Sequence, residues 1–135
     1  MIGKILAIDY GTLNVGLAIS DPDRILAFPR ATLKNDKELL TKLRDLILEE
    51  KVSEVVIGLP LATDNRNLPI TEKVELFAAE LRDLLPETVE IVLQDEKLTS
   101  VDALERIKSA PQKLVNTDKD QIAALIILEE RMMQS

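Results

Sequence analysis

The sequence predicts an α/β domain built on a five-stranded mixed sheet, an antiparallel meander followed by parallel strands, with helices on its faces. Three observations lead there. Three short apolar segments crowd the first 33 residues, with only turns between them. Beyond residue 35, helical periodicity alternates with short apolar runs. Apolar residues make up 46% of the 135, while aromatics supply only 2%. One aliphatic core is therefore expected, and one domain spanning residues 1–135.

The first strand is Lys4–Asp9, KILAID, an apolar run of the buried kind. Val15–Ser20 and Ile25–Leu33 follow after turns at Tyr10–Asn14 and Asp21–Arg24. Connections this short make an antiparallel meander. Asp36–Glu50 carries Leu39, Leu40, Leu43, Leu46 and Ile47 at helical spacing, with Asn35 as the expected N-cap. Glu54–Gly58 reads as a strand, Thr71–Leu85 as a second amphipathic helix, and Val89–Gln94 as the last strand. Helices over Thr99–Ser109 and Lys119–Met133 complete the chain. Ile122–Leu128 is apolar all round, which predicts deep burial. Strands joined through helices should run parallel, with right-handed crossovers. Pro60–Pro69, PLATDNRNLP, is the one long polar loop, and such loops often carry function.

Composition excludes several chemistries. There is no cysteine, hence no disulfide, thiolate metal site or cysteine nucleophile. There is no histidine, which leaves oxygen ligands for any metal. No apolar run is long enough to span a membrane, and the opening MIGKILAIDY is a strand rather than a signal peptide, so a cytoplasmic protein with no membrane partner is expected. The net charge of −7 argues against a general nucleic-acid coat but leaves room for a local basic patch.

Carboxylates gather where the predicted strands end. Asp9 closes the first strand, Asp95 and Glu96 follow the last, and Asp120 opens the final helix. Parallel strands bring their carboxyl ends to one edge, where α/β folds place their sites. Several carboxylates meeting there without a basic partner repel one another unless a divalent cation joins them. Mg²⁺ and Mn²⁺ prefer oxygen ligands, and a pair of such ions about 3.5–4 Å apart can activate water for phosphodiester cleavage. Each acid also has a plainer reading. Asp9 and Asp95 can be turn residues, Glu96 a solvated charge, and Asp120 a helix-start acid three residues after Thr117. The hairpin Asp9-Tyr10-Gly11-Thr12 with Gly16 also looks like the phosphate-binding hairpin of actin-like ATPases, but those close two domains around ATP and this chain has room for one.

Four blocks in order carry a family resemblance: Ile5–Asp21 (ILAIDYGTLNVGLAISD), Val55–Leu61 (VVIGLPL), Asp95–Ser100 (DEKLTS) and Asp120–Glu129 (DQIAALIILE). Together they resemble the YqgF family, also called RuvX, of RNase H-like proteins related to Holliday junction resolvases. The resemblance implies an RNase H-like fold and a metal-dependent nuclease, with Asp9, Glu96 and Asp120 as the catalytic, metal-binding residues and Mg²⁺ or Mn²⁺ as cofactor. It implies trimming of the 5′ end of precursor 16S ribosomal RNA, with RNA or pre-ribosomal particles as partners. The chain departs from the family pattern in three places. Asn14 stands where a basic residue is usual, the loop after Leu61 lacks its glycine, and Lys97 replaces an arginine, which costs the bidentate fork.

Two other function classes stay open. A resolvase acting on four-way DNA junctions would require two active sites and so a symmetric dimer. A non-catalytic nucleic-acid-binding protein would use the same fold without the chemistry. Strand alternation lets only one of Asp95 and Glu96 face a shared site, and the resemblance selects Glu96. Arg106, Lys108 and Lys113, in a stretch free of acidic residues that leads into Asp120, are the expected nucleic-acid contacts.

Overall fold

The computed structural model describes residues 3–60, 68–96 and 118–134. Five strands form one sheet: β1 (Lys4–Asp9), β2 (Asn14–Ser20), β3 (Ala27–Lys34), β4 (Val52–Pro60) and β5 (Glu90–Glu96), in the spatial order β3-β2-β1-β4-β5. β1–β2 and β2–β3 pair antiparallel, while β1–β4 and β4–β5 pair parallel. That is the mixed sheet the sequence predicts. Three helices are described: α1 (Leu39–Glu49), α2 (Leu68–Leu84) and α3 (Lys119–Gln134). The expected helix Thr99–Ser109 lies outside the described residues.

Strand alternation splits the core in two. Leu6 and Ile8 of β1 and Val15 and Leu17 of β2 pack with Leu39, Leu43 and Ile47 of α1 and Val74, Phe77 and Leu81 of α2. Ile5 and Ala7 of β1 and Ala18 of β2 point the other way and meet Ala124, Leu125, Ile127 and Leu128 of α3. The alanines at the second interface let α3 lie close to the sheet. Its all-apolar stretch is buried at every position but Ala123, in keeping with its composition.

Several boundaries differ from the sequence reading, each for a local reason. Asn35 is not the N-cap of α1. The helix begins at Leu39, with Glu38 in the cap position and no side-chain cap bond. The Asp36 carboxylate accepts from the Glu38 N–H at 2.9 Å, and the Asn35 carboxamide donates instead to the Gly11 carbonyl at 2.8 Å. β3 starts at Ala27 rather than Ile25, because the Asp21 carboxylate accepts from the N–H groups of both Ile25 and Leu26 and holds them in the turn. α2 starts three residues earlier than expected, with Pro69 in its first turn, where the missing N–H costs no hydrogen bond. β5 extends through Asp95 and Glu96, which therefore belong to the strand rather than follow it.

At the edge where β4 begins, Glu54 is buried between two guanidinium groups. Arg24 reaches one carboxylate oxygen at 3.3 Å and Arg131 the other at 2.7 Å. This links the β2–β3 turn, β4 and the end of α3. No described helix is long and apolar enough to cross a membrane.

Candidate active site

The opposite edge, where β1, β4 and β5 end, receives Asp9. Its strand parity is that of Ile5 and Ala7, so it lies on the α3 face of the sheet. Asp9 pairs across β2 with Gly16, and Gly16 pairs across β3 with Thr32. These three positions form one rung, and the first turn of α3 crosses it. A Cβ added to Gly16 would land on the Asp120 backbone carbonyl and crowd the Asp120 side chain. The bare glycine is thus what lets Asp120 come down beside Asp9. The next residue, Gln121, donates from Nε2 to the Thr32 hydroxyl at 3.2 Å. Asp118 caps the helix, its carboxylate accepting from the Asp120 N–H at 2.8 Å.

Burial and charge act together on the two carboxylates. Asp9 is pushed from its ordinary 3.8 up to about 6, first by burial and then by the charge of Asp120. Asp120 is also raised, by burial and the neighbouring Asp118, against a partial offset from Lys119. The charge of Asp120 adds to burial in raising Asp9. The Asp9 carboxylate has no cationic partner among the described residues. An all-oxygen, anionic pair of this kind could hold a hard divalent cation.

The other expected site residues fare differently. Glu96 is the last residue of β5, in register with Pro60 and of the same strand parity as Gln94. Gln94 sits on the α3 face, its Nε2 donating to the Ile127 carbonyl at 3.1 Å while its buried Oε1 has no partner. Asp95 has the opposite parity and is exposed. Among the described residues no group of three acidic side chains collects into a metal-binding cluster. Arg106, Lys108 and Lys113, with Lys97, lie outside the described residues.

Sequence reasoning gives no role to Thr32 and Gln121 and names Gly16 only as a hairpin glycine. Gly16 was visible as a second glycine after Asp9, but its role needs the register of β1 on β2 and the path of α3.

A family model described as RuvX, Holliday junction resolvase, matches residues 3–134. The chain belongs to the RuvX family. Among its relatives is a Maridesulfovibrio salexigens protein named "Putative pre-16S rRNA nuclease", 40% identical over 130 residues that cover 93% of this chain and 95% of that one. A Sulfurihydrogenibium protein of the same name is 31% identical over 128 residues, covering 95% of this chain and 88% of its own. In structure, this RuvX chain is similar to the fowlpox virus resolvase solved with Holliday junction DNA, at TM-score 0.64 and 12% identity over 97% of each chain. It is also similar to Thermus thermophilus RuvC solved with its Holliday junction substrate, at TM-score 0.56 and 12% identity over 97% of this chain and 94% of that one. At such identities the likeness is one of fold, and that fold is RNase H-like.

Proposed function

We propose that this RuvX-family chain is a metal-dependent nuclease that hydrolyses phosphodiester bonds and processes the 5′ end of precursor 16S ribosomal RNA. One observation carries the chemistry: Asp9 and Asp120 come together across Gly16, and the charge of Asp120 adds to burial in raising Asp9. The name borne by its relatives supports the substrate. Asp9 and Asp120, with Glu96 at the end of β5, the parallel strand beyond β4, would hold Mg²⁺ or Mn²⁺. When bound, such an ion supplies an activated water and stabilises the departing oxygen. Asp9 must be ionised to serve as a ligand, so activity should fall as the pH drops through about 6. Arg106, Lys108 and Lys113 would hold the RNA backbone beside the carboxylates.

The test is incubation of the purified protein, with and without Mn²⁺, on precursor 16S RNA, duplex RNA and a four-way DNA junction. Mn²⁺-dependent cutting of the precursor, lost in Asp9→Asn, is the expected result. Cutting of the junction alone would assign the chain to DNA, and no cutting of any substrate would leave a binding protein. In the same assay Glu96→Gln should cost far more than Asp95→Asn, and the reverse order would exchange their roles.

A further inference from the structure

The rung beyond Asp9–Gly16–Thr32 pairs Asn14 of β2 with Lys34 of β3. Both side chains lie on the face that carries Asp9 and α3. Ala18, two pleats from Asn14, packs in the α3 core, and Thr32, one pleat before Lys34, accepts the bond from Gln121 of α3. Lys34 is exposed and makes no ion pair within the described residues. From strand and residue spacings its Cα stands about 12 Å from that of Asp9. An extended lysine covers part of that gap and stops short of the carboxylates, where a neighbouring phosphate of a bound strand would pass.

We infer that Lys34 is a phosphate-binding residue of this nuclease, holding the nucleic-acid backbone next to the bond that is cut. This rests on the reading of the edge as a nuclease site and adds a specific contact to it. The face needs such a cation. Asp9, Asp118 and Asp120 make it locally acidic, Lys119 offsets only part of that, and a polyanion must still approach. Asn14 fits the same account. Two lysines directly opposite on one rung would repel, so one rung carries one cation, and here β3 supplies it.

The test is the salt dependence of binding of a labelled single-stranded RNA, measured without metal so that no cleavage intervenes. Lys34→Gln should weaken binding and lower the slope of log affinity against log salt by about 0.7, the loss of one phosphate contact on a single strand. Lys34→Arg should keep the slope. Moving the charge across the rung, in the double variant Asn14→Lys with Lys34→Gln, should restore it. Lys51→Gln makes the same charge change at the turn before β4, on the far edge, and should leave the slope unchanged. Melting temperatures should agree among all of these, because exposed charges contribute little to stability. An unchanged slope in Lys34→Gln, or no recovery in the double variant, overturns the assignment. Parent protein that binds no RNA overturns it together with the nuclease reading. A slope that behaves as stated while Asp9→Asn still cleaves would keep Lys34 and discard the metal site.

Discussion

At the scale of single residues, Asp9 costs the fold stability. Unfolded, its carboxyl titrates near 3.8; folded, near 6. Between those values the folded state holds the extra proton, so metal-free stability falls as pH rises from about 4 to about 6 and stays low above that. The loss is at most about 3 kcal/mol, and less to the extent that water reaches the group. Asp9→Asn should therefore stabilise the metal-free protein at pH 7 while leaving its stability nearly unchanged at pH 4. Urea denaturation at the two pH values checks this, and equal effects at both would mean that Asp9 is not held in a repulsive, desolvated setting. The place of Asp9 at the end of the first strand was legible from the sequence, because the apolar run KILA ends there. The burial that does most to shift it was not, since burial depends on how elements distant in the chain pack over the strand end.

At the scale of elements, the decisive contact is the start of α3 on β2. Gly16→Ala places a methyl group against the backbone of Asp120, where no flexible side chain can give way. Overpacking of this kind costs about 1–3 kcal/mol. It should also push Asp120 away from Asp9 and weaken Mn²⁺ binding by roughly tenfold or more, the usual scale for disturbing the support of a metal ligand. Ala18→Val, at the same β2–α3 interface but away from the rung, is the control for packing damage alone. Equal loss of Mn²⁺ affinity in both variants would show that Gly16 acts through general packing. The succession of five strands and of the three described helices along the chain was legible, because periodicity records which face of an element is buried. The ends of elements were less so. Asn35 looks like a cap from its position, but the Gly11 carbonyl competes for its side chain and Asp36 takes up the N–H of Glu38. Such competition between near neighbours leaves no trace in a hydrophobic pattern.

At the scale of the whole molecule, the two edges of the sheet have opposite electrostatic designs. Where the parallel strands begin, Glu54 is fully compensated by Arg24 and Arg131 and ties three elements together. Where they end, Asp9 has no cationic partner among the described residues, and Lys119 offsets the charge at Asp120 only in part. Glu54→Ala would strand two guanidinium groups in a largely buried setting, and should destabilise the protein by about 3–5 kcal/mol in a denaturant titration. Under conditions where that variant remains folded, its Mn²⁺ affinity should match the parent's, since the proposed metal site lies at the far end of the strands. A stability loss under about 1 kcal/mol would reduce the buried ion triad to an ordinary surface pair. The central claim is that Asp9 and Asp120 together bind a divalent cation. Calorimetric titration of Mn²⁺ into the parent protein, Asp9→Asn and Asp120→Asn tests it most directly. The account predicts saturable binding to the parent and its loss in each variant; Mn²⁺ binding of parental strength in either variant would contradict it.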